Sequence, residues 1–459
     1  MNKNIILNVD SYKASHYLQY PNGTTEVSSY IEARGGQFKQ AVFFGLQIFI
    51  KEYLMKPFTQ EDINEAEIIF EAHGVPFNRI GWQYILIKHN GYLPIEIQAI
   101  DEGKVIPVKN ALVQVINTDP KCAWLTSYVE TALLRAIWFP TTVATLSWYI
   151  RNIIKRYLDE TADTSDGLAF KLHDFGARGT SSEESAAIGG AAHLVNFQGT
   201  DTISGIMAAR RFYGADMPAF SIPAAEHSTI TSWGKDNEKA AYENMLDRFS
   251  GPGKLVAVVS DSYDLWNAID NIWGNELKAK VMQSGGTLIV RPDSGDPITI
   301  VTETIERLMK CFGNEVNEKG YRVLPDYVRV IQGDGVSKQT IEAILEAMKQ
   351  RKQSADNVAF GMGGELLQKV NRDTMQFAMK ASAVRVNGLW QDVYKDPVTD
   401  QAKRSKKGRL AVIENEQGEI VTIREQSLGE SENLLKTVFR NGELIKNWRF
   451  DEIRKNAIA

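Results

Sequence analysis

Ionisable side chains recur in this chain at the points where short apolar runs stop. The runs LAFKLHD (168–174), AFSIPAAEH (219–227), LVAVVSD (255–261), TLIVRPD (287–293), YVRVIQGD (327–334) and NVAFGMGG (357–364) carry most of them. Their ends hold His173, Asp174, His227, Asp261, Arg291, Asp293 and Asp334. Arginine offers phosphate oxygens a fixed fork of donors. Carboxylates accept from sugar hydroxyls or hold Mg²⁺ with its waters. Bare glycine N–H groups cup anions.

HDFGARG (173–179) places Arg178 after glycines that let the backbone turn tightly. A helix then starts near Ser181 and Ser182, with Glu183 and Glu184 in its first turn. An arginine beside a helix N-terminus makes an anion site; a structural loop whose arginine pairs with an acid fits equally. GTDT (199–202) reads first as a helix cap at Asp201. In AAEHST (224–229), His227 follows a strand among small residues. Such an imidazole serves as acid/base, anion donor or nucleophile, or as a hydrogen-bonded core group. In VVSDSYD (258–264), Asp261 suits a ribose hydroxyl or a hydrated Mg²⁺, and Asp264 a helix cap.

RPDSGDP (291–297) sets Arg291 and Asp293 two apart beside a Ser-Gly turn. That suits a sugar-phosphate, cation to oxyanion and carboxylate to hydroxyl, and an intraloop salt bridge is compatible with it. QGDGV (332–336) and GMGG (361–364) are glycine-rich strand ends in successive units, with Arg372 and Lys380 downstream. KRSKKGR (403–409) is a solvated loop or a phosphate-attracting lid. Tyr12, in DSYKASHY (10–17), stacks on a flat ring or simply packs. No G-x-G-x-x-G follows a strand and no G-x-x-x-x-G-K-[ST] is present, which disfavours dinucleotide-fingerprint and Walker chemistry.

The elements that must hold these groups alternate. Helix-like segments at 183–195, 236–249, 262–273, 297–311 and 337–352 separate the apolar runs. Short buried strands alternating with helices imply parallel βαβ units, hence an α/β barrel-like domain or a doubly wound sheet with ligands at the strand carboxyl ends. The first 150 residues differ. VSSYIEA (27–33), QYILIKH (83–89) and IEIQA (95–99) read as strands of an antiparallel sheet, and 43–55 and 126–136 as helices. RLAVIE, GEIVTI, LLKTVF and WRF, within 408–450, return to strand-like runs. We expect an α+β companion domain with an antiparallel sheet built from both termini, 1–160 and 395–459, around a β/α barrel-like domain at 161–394.

The 459 residues carry 52 Lys+Arg against 57 Asp+Glu, a net charge of −5. That excludes a general nucleic-acid binder, because no positive field exists to displace counterions from phosphates. Two distant cysteines imply neither a disulfide framework nor a thiolate zinc site. The stretch 136–150 is the longest without an ionisable residue, but it contains Pro140 and several threonines and is too short to span a membrane. A buried helix pair or turn-helix is expected there. No secretory segment is apparent, and a soluble cytoplasmic protein is expected.

Taken in order, DSYK, HDFGARG, NFQGTDT, PAAEHSTIT, SDSYD, RPDSGDP, VIQGDGV, FGMGGELLQK, KDPV, KRSKKGRL and FDEIRKNA cover nearly the whole chain. In these strings the chain resembles the nicotinamide phosphoribosyltransferases, type II phosphoribosyltransferases. The resemblance implies transfer of phosphoribose from phosphoribosyl pyrophosphate to nicotinamide. It also implies Mg²⁺, ATP coupling through a phosphorylated histidine, and a homodimer with active sites at the subunit interface.

Carried onto this sequence, it has Phe175 and a partner's Tyr12 sandwich the pyridine ring, and Asp201 accept from the carboxamide. Arg178, His227 and Arg291 contact pyrophosphate or phosphate oxygens. Asp261, Asp293, Gly333 and Asp334 hold the ribose and metal region. Gly363, Gly364 and Arg372 take the 5′-phosphate, and Arg34, Lys380 and Lys395 add positive charge. The chain departs from the pattern at Ala177, where animal members carry tyrosine, at Ala378, where a phosphate-contacting serine is expected, and at Met362, in place of a small polar residue. The loop after Arg34 is short. The rival readings are a nicotinate phosphoribosyltransferase, a phosphosugar aldolase or isomerase, and a non-catalytic ligand sensor. An aldolase or isomerase would want a strand-end lysine or an acid/base pair.

Overall fold

The computed structural model describes residues 4–396 and 405–458. The chain forms two compact units. One comprises Leu146–Met207 and Met217–Lys369; the other comprises Met1–Thr145, Ala208–Asp216 and Val370–Ala459.

The first unit is built on six parallel strands: β1 Leu172–Asp174, β2 Gly199–Thr200, β3 Leu255–Val259, β4 Thr287–Arg291, β5 Val328–Gln332 and β6 Val358–Met362. Their spatial order is β2-β1-β6-β5-β4-β3. The expected strand at 219–227 is absent. Pro218 and Pro223 lack the N–H a ladder needs, so this segment makes only isolated bridges, from Phe220 to Gly199 and from Ala224 to Ala257. Those bridges reach both edges of the sheet. Thr200 N donates to Phe220 O at 3.1 Å, and Ala225 N to Ala257 O at 2.9 Å. Residues 220–225 therefore close the ring as a seventh stave. Inside it, Ala257, Ile289 and Ile331 pack with Phe175, Ile222 and Ala359.

Amphipathic helices cover the strands. Pro297–Phe312 starts at Asp296, whose carboxylate accepts from Thr299 N at 2.9 Å, and buries Val301, Ile305, Leu308 and Phe312 at helical spacing. Lys338–Gln350 is capped by Ser337 and buries Ile341, Ile344, Leu345 and Met348. The expected helix at 262–273 begins at Leu265 and widens to a π-helix over Ala268–Glu276. Residues 168–170 coil as a 3₁₀ turn, so β1 is shorter than its run.

The companion unit carries a seven-stranded antiparallel sheet. Its order is Leu389–Asp392, Ala378–Val386, Thr24–Glu32, Ala111–Asn117, Ile95–Ala99, Lys436–Arg440 and Glu443–Leu444. Ala378–Val386 pairs along Thr24–Glu32. The chain thus joins this unit at 370, where the sequence pattern placed the boundary near 394.

Of residues 83–89, expected as a strand, 83–88 lie in the helix Arg79–Lys88 and His89 caps its end. Asn78 caps it by accepting from Gly81 N at 3.0 Å, and Trp82 and Ile85 bury one face. WRF (448–450) is not a strand; Phe450 opens the helix Phe450–Ile458. The stretch 136–150 lies within one continuous helix, Glu130–Thr161. Its threonines are satisfied locally: Thr145 Oγ1 accepts from Val42 N at 2.9 Å and donates to Thr141 O. Gly45, at φ 104°, passes so close to Pro140 that a Cβ would lie 2.3 Å from its ring. Among the described residues no helix is long and apolar enough to cross a membrane.

Candidate active site

At the carboxyl end of β1, Asp174 is wholly buried and organises two turns. Its Oδ1 accepts from Gly176 N at 2.7 Å, and its carbonyl accepts from Asp201 N at 2.9 Å. Burial holds its carboxyl up at about 6, and the neighbouring Asp201 pushes the same way. The folded form therefore binds a proton more tightly than the unfolded chain between pH 3.8 and about 6. Folding stability falls by about 3 kcal/mol at most as pH rises through that window. In Asp174→Asn this slope disappears. Thermal melts should show the variant gaining several degrees on the wild type between pH 4 and pH 7. A melting difference that is the same at every pH contradicts this assignment.

Phe175 extends the ladder, its N–H donating to Met362 O at 2.9 Å. Its ring lies against two glycines. A Cβ on Gly361 would stand 1.9 Å from the ring, and one on Gly333 3.6 Å from it. Gly361 makes the space the ring occupies, and Gly333 lies at ordinary contact distance. Asp201 follows β2 and is exposed; Ser221, on the closing stave, donates from its hydroxyl to Asp201 Oδ1. Asp201 is thus a side chain held by a neighbour and not a helix cap. Ser221 was not foreseen, because only the ring closure brings 221 to 201.

Arg178 is exposed on the turn Ala177–Gly179. The next helix, Glu183–His193, is capped by Ser182. The Ala177–Gly179 turn abuts the glycine-rich end of β6: a Cβ on Gly179 would lie 3.3 Å from Gly364 Cα. Gly363 precedes the single turn Gly364–Leu367. Asp334 is exposed, and buried Gln332 fixes its turn by donating to Asp334 O at 2.7 Å.

His227, Asp261, Arg291 and Asp293 form one cluster. His227 Nδ1 is 3.0 Å from Ser262 Oγ, while Nε2 is 3.3 Å from Asp293 Oδ2 and 3.9 Å from Asp261 Oδ1. The Asp261 side chain is only 4% exposed; its Oδ2 accepts from Asp293 N at 3.0 Å and from Ser294, and its Oδ1 has no hydrogen-bond partner. Arg291 donates from Nη2 to Ala225 O at 3.2 Å, approaches Asp293 Oδ1 at 3.7 Å, and keeps Nε unpaired. Burial raises the Asp293 carboxyl, Arg291 and His227 oppose the rise, and Asp261 adds to it. A Cβ on Gly333 would lie 3.4 Å from Asp293 Oδ1, so Gly333 belongs to the same cluster.

The companion unit holds the other sequence-derived residues. Tyr12 is 59% exposed on the 3₁₀ helix Ser11–Leu18. Arg34 pairs through Nε with Glu32 at 3.0 Å, and its buried Nη2 has no partner. Burial lowers the Lys380 ammonium; Glu130 opposes this, and Arg34, Lys395 and Lys13 add to it. Arg372 pairs with Asp373 at 3.1 Å. Lys395 N donates to Ser405 Oγ at 2.8 Å. Lys403 and Arg404 of the basic run, and the Pro397 and Val398 of KDPV, lie outside the described residues.

Comparisons with known proteins identify the family. The model of the nicotinate phosphoribosyltransferase (NAPRTase) family matches residues 170–443, and that of the nicotinamide phosphoribosyltransferase N-terminal domain matches residues 4–97. A nicotinamide phosphoribosyltransferase of Xanthomonas campestris is 51% identical, over 99% of this chain and 98% of that protein. One of Acinetobacter baylyi is 31% identical, over 97% and 95%. The crystal structure of a nicotinate-nucleotide pyrophosphorylase from Pyrococcus furiosus shares the fold, with a TM-score of 0.64 at 17% identity over 100% of this chain and 96% of that one. The matched model takes in every strand of the ring, and the relatives match end to end: this chain belongs to the nicotinate phosphoribosyltransferase family, in its nicotinamide phosphoribosyltransferase branch.

Proposed function

We propose that this enzyme transfers phosphoribose from phosphoribosyl pyrophosphate to the ring nitrogen of nicotinamide, releasing pyrophosphate and making nicotinamide mononucleotide for NAD salvage. The observation that carries the reading is Asp201. Ser221 occupies one of its carboxylate oxygens, and the other is free to accept from a carboxamide N–H₂. A nicotinate carboxylate at the same place is repelled.

Phe175 offers one face to the pyridine ring. Tyr12 of the partner subunit in a homodimer supplies the second. Arg178, His227 and Arg291 take the pyrophosphate oxygens. Asp293, Gly333 and Asp334 take the ribose. Gly363, Gly364 and Arg372 take the 5′-phosphate, with Arg34, Lys380 and Lys395 adding charge. Breaking the C1′–O bond leaves an oxocarbenium-like sugar and a departing pyrophosphate. The Arg291 fork stabilises the departing anion, and the Asp293 carboxylate stabilises the positive sugar. The pyridine nitrogen attacks through its own lone pair and has no proton to lose, so no general base is needed.

Mg²⁺ supplies further neutralisation of the pyrophosphate when bound. Asp261, with its buried unpaired Oδ1, and Asp293 would hold a hydrated divalent ion there. Among the described residues no three His, Cys, Asp or Glu side chains form a metal site by themselves. ATP acts as a stimulating co-substrate. Its γ-phosphoryl moves to His227 Nε2, the N–P bond forming as the bond to ADP breaks. Asp293 Oδ2, 3.3 Å from Nε2, takes the Nε2 proton so that this nitrogen's lone pair can attack, while the Nδ1 proton stays toward Ser262. The free thiols of Cys122 and Cys311 support a cytoplasmic location.

The test is chromatographic detection of nicotinamide mononucleotide and pyrophosphate, formed one for one from phosphoribosyl pyrophosphate, Mg²⁺ and nicotinamide, with and without ATP. Absence of both products contradicts the proposal. Gly361→Ala tests the stacking role of Phe175. The added methyl must displace the ring, so the KM for nicotinamide should rise at least about tenfold, and the misfit should lower stability by about 1–3 kcal/mol. A KM within twofold of wild type would show that Phe175 does not touch the base.

A further inference from the structure

A 3₁₀ helix rarely runs beyond three or four residues, because its hydrogen bonds are poorly aligned. The one that carries Tyr12, Ser11–Leu18, runs for eight. Its persistence needs outside support, and the support is periodic. With three residues per turn, residues three apart share one row. Asp10, Lys13 and His16 form such a row, and each pairs with the chain at 127–131. Asp10 N donates to Thr131 Oγ1 at 3.1 Å, and the Thr131 hydroxyl donates to Asp10 Oδ2 at 2.7 Å. Lys13 Nζ meets Glu130 Oε2 at 2.6 Å. His16 Nδ1 is 2.8 Å from Ser127 Oγ.

The neighbouring row is Tyr12, Ser15 and Leu18, and both Tyr12 and Leu18 are exposed. Lys13 is buried beneath the Tyr12 ring, its Nζ 5.2 Å from the ring centroid. The His16 ring meets the Tyr12 ring edge-on, with the centroids 5.1 Å apart. Both neighbours that brace the aromatic ring are therefore themselves anchored. The central anchor is a charge pair in which one partner is buried, the kind whose loss leaves an uncompensated charge.

We infer that the Lys13–Glu130 ion pair is a positioning device for Tyr12, holding that ring in the orientation that stacks on the nicotinamide base. This rests on the reading of Tyr12 as a stacking residue, and the experiment separates the two. Steady-state kinetics and thermal melts are compared for Tyr12→Ala, Lys13→Met, Lys13→Arg, Glu130→Gln and the Tyr12→Ala/Lys13→Met double variant.

Lys13→Met should raise the KM for nicotinamide at least tenfold, with kcat within threefold of wild type. Lys13→Arg should restore most of the affinity. In the double variant, the lysine change should add nothing to the effect of Tyr12→Ala, because there is no ring left to position. Glu130→Gln keeps an acceptor and gives the same KM signature if Lys13→Met folds poorly. If Tyr12→Ala raises KM while Lys13→Met and Glu130→Gln do not, the positioning role is overturned and the stacking role stands. If the two effects multiply in the double variant, or kcat and melting temperature fall together, the pair is merely structural. If Tyr12→Ala itself leaves KM unchanged, both readings fall.

Discussion

Asp201→Asn should turn a nicotinamide-selective enzyme into one that accepts nicotinate. The direction is fixed by Ser221, whose hydroxyl donates to Asp201 Oδ1. An asparagine in the same place keeps its carbonyl oxygen toward that donor and turns its N–H₂ to the base. A donor there suits a carboxylate and opposes the carboxamide N–H₂. Two charges about 4 Å apart near a protein surface interact by about 1–4 kcal/mol. Reversing a repulsion into a hydrogen bond should therefore move the ratio of kcat/KM values for nicotinate and nicotinamide by about 10²-fold. The measurement is kcat/KM with each base at saturating phosphoribosyl pyrophosphate. An unchanged ratio would remove Asp201 from base selection. Adding Ser221→Ala frees the amide to turn over, and discrimination between the bases should shrink.

Arg291→Ala should be the most damaging change at the phosphate side. Arg291 is anchored by Ala225 O, lies 3.7 Å from Asp293 Oδ1 and keeps a buried, unpaired Nε. Removing such a donor from developing charge costs about 3–4 kcal/mol, so kcat should fall about 10²–10³-fold. Arg291→Lys should recover little, because a point charge does not replace the fork. Arg291 also opposes the upward pull of burial on Asp293. Without it the Asp293 carboxyl rises further, so the acid limb of the residual pH–rate profile should move to higher pH. A profile that keeps the wild-type acid limb would show that Arg291 does not tune Asp293, and a kcat within fivefold of wild type would show that it does not stabilise the leaving group.

The sequence made the site legible where chemistry and periodicity coincide. Val258, Val290 and Ile331 sit in short apolar runs whose ends carry Asp261, Arg291 and Gly333, and β3, β4 and β5 appear where those runs stand. What escaped depends on pairing that no local pattern records. Ser221, Ser262 and Gln332 hold Asp201, His227 and the Asp334 turn, but a serine or glutamine becomes informative only once the ring closes around it. Pro223 breaks the ladder in a segment whose composition otherwise reads as a strand. Ile85 and Ile87 look β-branched and strand-like, yet the Asn78 cap and the burial of Trp82 make a helix of that segment. The run at 378–386 is strand-like in either unit, and only its register against Thr24–Glu32 assigns it to the antiparallel sheet.

The most direct test of the central claim is a competition. The wild-type enzyme is given limiting phosphoribosyl pyrophosphate, Mg²⁺ and ATP with equimolar nicotinamide and nicotinate, and the two mononucleotides are separated and quantified. Nicotinamide mononucleotide should dominate by at least about a hundredfold. Comparable amounts of the two products, or an excess of nicotinate mononucleotide, would contradict it.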